Sequence, residues 1–579
     1  MFRIRRIFDD GVPVNRNAIV QVQQILRDQF PLTNRNDIEK LPEQLRNPMK
    51  YRFRSVLFVA DDLKRNVKGF ALLLHAPDLE FCYLDYISAA KNMSGGGIGG
   101  ALYERVRDET SMLKSKGLFF ECLPDDPQLC KDPAVLKQNI SRLKFYEKYG
   151  ARPLIHTKYE TPVRPFQDNP PYLVVDTLGK NRKFRRDEIR GIVRAILERK
   201  YPDVCNKEYI QMVVDSITDN PVQFRPFRYI TEEKIEPAKK SVPPDLKIAL
   251  VCNERHVLHH VRERGYVESP VRVENILTAL RKTQLFTEFP AHLFPEEHIT
   301  AVHDPGFVRY LTAVSSLIPD DQSVYPYVFP IRNNARPPKE LPMRAGYYCI
   351  DTFTPINKSA YTAARHAINC ALTAASKILE GNYLAYALVR PPGHHAEYKV
   401  FGGFCYFNST AIAAHYLSEQ GRVAILDIDY HHGNGQQNIF YSRSDVLTVS
   451  IHGHPSFAYP FFSGFAEEVG EVSGRGYNVN IPLPEIISTE QYIKALEKAI
   501  KRIRRFNPQF LVVALGFDTS RGDPTGTWSI DGKTFEKIGD MIGELPYSTL
   551  VVQEGGYNTR TLGSDAVHFF TGLWKGSFL

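Results

Sequence analysis

Six short runs rich in Val, Ile and Leu recur through the second half of the chain: Lys247–Val251, Leu384–Val389, Val423–Ile428, Val446–Ile451, Leu511–Leu515 and Leu550–Val552. Continuous apolar runs, rather than alternating ones, mark strands buried on both faces. Helix-period patterns separate them, which predicts an α/β fold: a parallel sheet with helices on both faces. No solenoid repeat is visible. In an open α/β sheet ligands gather beyond the carboxyl ends of the strands. The residues just past each run are therefore the ones to read for chemistry.

The chain is 579 residues long, which predicts two or three domains. Its 43% apolar and 24% charged content is that of a globular protein. No run of eighteen apolar residues exists, so no membrane span is expected. The start, Met1-Phe2-Arg3-Ile4-Arg5-Arg6, is basic but lacks the apolar stretch of a secretory signal. Eight cysteines are scattered with no CxxC pair, which fits reduced thiols in a cytoplasmic protein. A net charge of +8 over this length reads as solubility, and no direct nucleic-acid contact is expected. A homo-oligomer stays open.

Three segments are expected. Residues 1–165 alternate strand and helix patterns, with strands at Ser55–Ala60 and Lys68–Leu74 and a helix near 99–113. A proline-rich break at Pro162–Pro171 ends this part. Residues 166–245 read as a helical connector, with a periodic stretch from Asp187 to Arg199 and a polar linker at Glu236–Pro244. Residues 246–579 hold the strand runs.

The densest motif is Asp427-Ile428-Asp429-Tyr430-His431-His432-Gly433-Asn434-Gly435, past the Val423 run. Strand alternation aims Asp427, Asp429 and His431 to one side. Two of them can bind a divalent metal while the third orients a neighbour. Gly516-Phe517-Asp518 offers a further ligand after another strand. A set of Asp, His and Asp leaves coordination open for water and substrate, as a catalytic zinc requires. Acidic residues at strand ends often only cap helices, and for a single Asp that plainer reading wins. It does not account for this nine-residue cluster. The tandem His394-His395, in Arg390-Pro391-Pro392-Gly393-His394-His395-Ala396, can be metal ligands or acid/base groups. Gly402–Asn408 can line an apolar slot. In Gln553-Glu554-Gly555-Gly556-Tyr557 two glycines let a tyrosine turn into a site, where its hydroxyl can donate to a carbonyl oxygen.

These motifs, in this order, resemble the histone deacetylase and acetylpolyamine amidohydrolase family, of class II-like, bacterial type. Glu268–Glu274, Val302-His303-Asp304-Pro305 and Ser473–Asn480 add to the resemblance, which spans residues 246–579. It implies the arginase/deacetylase fold and removal of acetyl groups from an acetylated polyamine or acetyl-lysine. It further implies zinc on Asp429, His431 and Asp518, His395 as general base, and His394 as its electrostatic partner oriented by Asp427. Asn434 would stand beside the second histidine, where class I members often carry Asp. Tyr557 would polarise the acetyl carbonyl. Asp427, Asp429, His431, Ser450 and Ile451 match a structural potassium site, and Gly403, Phe404 and Phe462 match or lie near the substrate tunnel. Thr525 matches a gatekeeper position where Glu would select a cationic polyamine; Thr does not. An arginase-type dimanganese hydrolase and a non-catalytic acyl-binding scaffold are the alternatives.

In the first segment, Met93-Ser94-Gly95-Gly96-Gly97-Ile98-Gly99-Gly100-Ala101-Leu102 is a glycine-rich turn running into a helix, where backbone N–H groups can cradle a pyrophosphate. Together with Arg142–Ala151 it resembles the GNAT acetyltransferase superfamily, with Ser94 where Gln or Arg is common. That implies acetyl-CoA bound at Gly97, Gly99 and Gly100, with Tyr146 protonating the departing thiolate.

Overall fold

The structure is a computed structural model, describing all residues except 1, 32, 63, 91–96, 162–169, 181, 231–241, 264, 321 and 327–337. The chain divides into two compact units, Met1–Asp245 and Leu246–Leu579. Met93–Gly96 of the glycine-rich turn, most of the Pro162–Pro171 break and Glu236–Ser241 of the linker lie outside the described residues.

The first unit is built on a seven-stranded sheet: β1 (Arg3–Ile7), β2 (Arg54–Asp61), β3 (Val67–Ala76), β4 (Phe81–Ala89), β5 (Leu118–Cys122), β6 (Arg152–Pro153) and β7 (Tyr172–Asp176), ordered β1-β2-β3-β4-β5-β7-β6. Adjacent strands are antiparallel except β4 and β5. Alternation divides each strand between two cores. On β5, Leu118, Phe120 and Cys122 face one core with residues of helices Ile98–Met112 and Pro133–Glu147. Phe119 faces the other, with helices Pro13–Gln29, Arg186–Lys200 and Lys207–Ser216.

Residues 166–245 are therefore not a helical connector. Tyr172–Asp176 pairs along β5 from Leu118↔Asp176 to Cys122↔Tyr172, and the two following helices pack Ile189, Ile192, Val193, Ile196, Ile210 and Val213 into the first unit's core. A five-residue strand beside a proline-rich break carries little periodicity of its own. Its place comes from the β5 edge it covers.

The second unit carries an eight-stranded sheet, every adjacent pair parallel: β8 (Ile248–Cys252), β9 (Phe286–Phe289), β12 (Leu384–Leu388), β13 (Val423–Asp427), β14 (Val446–Gly453), β15 (Asn478–Leu483), β16 (Phe510–Leu515) and β17 (Ser548–Gln553). A separate two-stranded ribbon is formed by β10 (Ser323–Val324) and β11 (Ile356–Asn357). The order of the large sheet is β15-β14-β13-β16-β17-β12-β8-β9. All six expected runs are strands here. The two strands without a sequence signal, β15 and β9, are its edges, where partial exposure interrupts the apolar run. No described helix is long and apolar enough to cross a membrane.

Candidate metal centre and acid–base site

The four strands that precede the chemical motifs, β13, β16, β17 and β12, are consecutive neighbours in the sheet although far apart in sequence. Because all are parallel, their carboxyl ends open on one rim, and the loops there converge.

At that rim Asp429, His431 and Asp518 bring one ligand atom each within 4.8 Å of one another. His431 Nδ1 lies 2.9 Å from Asp518 Oδ2 and 3.3 Å from Asp429 Oδ1. Backbone donors fix both carboxylates: His431 N and Gly555 N donate to Asp429, at 2.9 and 2.8 Å, and Tyr430 N donates to Asp518 at 2.8 Å. Glycine is required around them. A Cβ on Gly516 would come within 2.0 Å of Asp429 Oδ2, and one on Gly555 within 2.5 Å of Asp518 Oδ2. Both carboxylates are fully buried. Burial, then the charge of Asp429, pushes Asp518 up to about 7. Burial opposes a charged His431, but its bonds to the two carboxylates outweigh that and raise it to about 10. Two buried carboxylates sharing one imidazole form a donor set short of positive charge, which a divalent cation corrects.

The tandem histidines face this centre. Their turn is tied down by Glu554, whose carboxylate accepts from Gly393 N (2.6 Å), His394 N (3.0 Å) and Thr410 Oγ1 (2.6 Å). The two rings lie 3.9 Å apart yet have different partners. His394 Nδ1 bonds Asp427 Oδ2 at 3.1 Å, and Asp427 Oδ1 accepts from Asp429 N. His395 Nδ1 bonds the Asn434 side-chain oxygen at 2.8 Å, while the Asn434 amide nitrogen donates to Glu397 Oε1 at 2.8 Å. An amide oxygen only accepts, so His395 carries its proton on Nδ1 and keeps the Nε2 lone pair free. Burial works against the charge on both rings. The carboxylates Asp429 and Asp427 overcome it at His394, raised to about 10, whereas His395 is held well below its usual value by burial and the neighbouring histidines. Side-by-side groups with values pushed apart can divide proton-holding and proton-taking roles.

Tyr557 completes the rim. Its N–H donates to Asp523 Oδ2 at 2.6 Å, and the Arg272 guanidinium stacks 4.6 Å from its ring. Arg272 also donates to the carbonyls of Glu554 and Gly556, both at 2.6 Å, and pairs with Glu268. Asp523 holds Thr525 as well, accepting from its N–H and hydroxyl at 3.0 and 2.8 Å. One carboxylate thus fixes both the tyrosine and the gatekeeper position.

The walls of the approach are aromatic. Gly403 sits so close to His395 that a Cβ would fall 2.2 Å from its Cδ2, and Phe404, at φ 67°, packs its ring 5.6 Å from Tyr557. Phe462, expected near the tunnel, is 55% exposed. The ring against His395 is that of Tyr459, at 4.7 Å, held by its hydroxyl bond to Asp351 (3.1 Å), which also accepts from Gly403 N. Proline and two phenylalanines follow Tyr459, so four apolar-leaning residues competed for one position and only the chain path selects among them. Phe353 packs on Phe404 and Tyr459, and Phe461 on Tyr459, with much of both rings in solvent. Sequence reasoning missed Tyr459, Asp351 and the roles of Asp523, Glu554 and Glu397. Asp523 adjoins Thr525 and Glu554 lies three residues before Tyr557, so proximity was the available signal.

Ser450 stands opposite Asp427 across β13 and β14, with its hydroxyl 2.8 Å from His452 Nδ1. A second group, His394, Cys405 and Glu554, is close enough to hold a metal. Its carboxylate, however, already accepts three hydrogen bonds.

In the first unit, Gly97 caps helix Ile98–Met112 at φ 74°, and Cβ atoms on Gly97 and Gly99 would meet nothing within 4 Å. A Cβ on Gly100 would touch Tyr149 at 3.8 Å. Tyr146 is buried between Tyr103 and Phe120, at 4.9 and 4.5 Å, and burial raises its phenol well above the usual range.

Residues 266–573 match the histone deacetylase domain. The acetylpolyamine amidohydrolase 2 of Pseudomonas aeruginosa is 38% identical over 336 residues, covering 56% of this chain and 98% of that protein. Histone deacetylase 15 of Arabidopsis thaliana is 37% identical over 334 residues, 55% of each chain. A crystal structure of acetylpolyamine aminohydrolase from Burkholderia pseudomallei superposes with a TM-score of 0.53 at 36% identity, covering 56% of this chain and 98% of that one.

Proposed function

The chain belongs to the histone deacetylase domain family and is by that membership an amidohydrolase; from this premise we propose a zinc-dependent deacetylase of acetylated polyamines. The observation that carries the reading is the convergence of Asp429, His431 and Asp518 opposite the His394–His395 turn and Tyr557. The donor set fits zinc: two carboxylates and an imidazole, buried, short of positive charge and walled by glycines. When bound, zinc would polarise the acetyl carbonyl and acidify a water. His395, with its Nε2 lone pair free, takes a proton from the attacking water and returns it to the departing amine. His394, paired to Asp427, supplies positive charge beside it. Tyr557 donates its hydroxyl to the carbonyl oxygen as negative charge develops there. Gly403, Phe404 and Tyr459 exclude water from the reacting amide. A potassium ion near Asp427, Asp429, His431, Ser450 and Ile451 would add positive charge behind the site.

The exposed rings of Phe353 and Phe461 at the mouth favour a cationic substrate tail, since aromatic faces attract ammonium groups. The test is turnover by the zinc-loaded full chain of an acetylpolyamine panel beside acetyl-lysine peptides. An advantage of at least about tenfold in kcat/KM for acetylpolyamines is expected, each factor of ten being about 1.4 kcal/mol. A reversed preference makes acetyl-lysine the substrate. Zinc removal should abolish both activities.

For the first unit the reading is a GNAT-like domain that binds acetyl-CoA. It is supported by the forked β4–β5 pair, the helix opening at Gly97 and the free space over Gly97 and Gly99. Catalysis there would fall to Tyr146. Calorimetry with acetyl-CoA should show binding that Gly99→Val weakens, because a side chain there bars the pyrophosphate from the backbone. No heat at millimolar ligand overturns this reading. Eight free cysteines suit a cytoplasmic location.

A further inference from the structure

The charged and aromatic side chains at the β4–β5 fork of the first unit serve neither reading above. β4 and β5 pair over three residues only, ending at Leu84↔Phe120, although β4 continues to Ala89 and β5 to Cys122. The strands fork there, and the next residue on each is a carboxylate: Asp85 and Glu121. Asp85 occupies a bulge, where pairing with β3 steps from Leu72↔Tyr86 to Leu73↔Leu84. A bulge re-aims the extra side chain.

Lys200, the last residue of helix Arg186–Lys200, forms an ion pair with Asp85. Its ammonium lies 5.3 Å from the ring centre of Tyr83 and 5.2 Å from those of Tyr86 and Tyr201. Three ring faces and one carboxylate around an ammonium form the arrangement that recognises alkylammonium ligands. Glu121 stands across the fork with no cation paired to it among the described residues. It accepts instead from Tyr159 and Tyr201 hydroxyls, at 2.7 and 2.8 Å. Tyr83 and Tyr159 are buried and the Asp85 and Lys200 side chains are only 8% and 15% exposed, whereas Tyr86 and Tyr201 retain partial exposure, so the cluster reaches solvent along these two rings. A lysine that only ties a helix end to a sheet needs one acid. It does not need three aromatic faces and a second acid at an open fork.

We propose that this fork is a binding site for a linear polyamine, one ammonium entering the cage of Tyr83, Tyr86, Tyr201 and Asp85 and a second directed to Glu121, with Lys200 filling the cage in cis until displaced. The site depends neither on the zinc centre nor on acetyl-CoA.

The test uses the full chain and spermidine. Lys200→Met leaves Asp85 unpaired and lowers the melting temperature of the first unit. Saturating spermidine should restore it by several degrees, roughly what binding at a hundred times Kd contributes. Lys200→Met combined with Asp85→Asn, which leaves no unpaired charge, should show no such rescue. In calorimetry Lys200→Met should bind spermidine at least about tenfold tighter than the wild type, and the double variant no tighter. Heat common to all three proteins belongs to the second unit's tunnel. If Lys200→Met does not fold, Lys200→Gln replaces it, since its amide still donates to Asp85, with a smaller shift in the same direction. Equal spermidine response in single and double variants overturns the site. So does equal rescue by magnesium chloride, which would reduce the effect to ionic screening.

Discussion

The rim of the second unit and the fork of the first both place carboxylates where parallel strand pairing ends, yet they balance charge in opposite ways. At the rim, Asp429 and Asp518 share the His431 imidazole, and the other imidazole near Asp429, that of His394, is already bonded to Asp427. At the fork, Lys200 neutralises Asp85, and tyrosine hydroxyls satisfy Glu121. A buried site left short of positive charge must import it, because an unpaired buried charge is costly. A site balanced by its own chain stands closed until something displaces that group. The number of acidic residues is similar in the two places. What separates them is where the compensating charge comes from.

The sharpest way to break this comparison is Asp518→Ala. It should abolish zinc binding and deacetylation together, measured as metal content and turnover on one sample, while spermidine binding at the fork persists. Full turnover by a metal-free variant would remove the metal from the account. Next comes Tyr557→Phe. It keeps the ring between Arg272 and Phe404 and loses only the hydroxyl, so turnover should fall ~10²–10³-fold with zinc retained. An unchanged kcat would show that the phenol does not meet the carbonyl.

A smaller effect is expected from Asp523→Asn. The carboxylate accepts from the backbones of Tyr557 and Asn558 and from Thr525, and an amide can turn a donor towards those donors. Displacing the tyrosine should lower kcat about ten- to a hundredfold with the melting temperature little changed. A loss confined to stability would make Asp523 purely structural.

The mildest expectation concerns acid. Burial holds His259, His303 and His452 of the second unit at about 4, below the ordinary 6.5. The unfolded chain protonates these rings below pH ~6.5, whereas the folded chain does so only near 4. Their contribution is complete above 6.5 and is lost as pH falls towards 4. In the first unit His75 alone, among the described residues, is held at about 4. Calorimetric melting at pH 7 and pH 5 should therefore show the larger drop in the second unit. Equal drops would assign the acid sensitivity to carboxylates common to both.

Much of the second unit was legible before its structure. The strands at Val423, Leu511, Leu550 and Leu384 are buried on both faces and leave unbroken apolar runs, whereas edge strands β9 and β15 are partly exposed and leave none. The strand Tyr172–Asp176 was read through for another reason. Five residues carry too little pattern, and its identity rests on pairing with Leu118–Cys122, some fifty positions earlier in the chain. At the site, Asp427–Gly435 was legible because it is local. Tyr459 against His395, and Asp523 beneath Tyr557, depend on loops that meet only after folding.

The amino-acid order by itself determined the parallel sheet of the second unit, the donor types at its strand ends and the residues able to bind a metal. Burial on two faces and ligand chemistry are written in local composition, so no fold is needed to read them. The tertiary structure alone decided that β13, β16, β17 and β12 lie side by side. It also decided that Tyr459 packs against His395, and that Lys200 closes the fork on Asp85. These are contacts between residues distant in sequence. Their energies depend on separations and desolvation that exist only once the chain has packed.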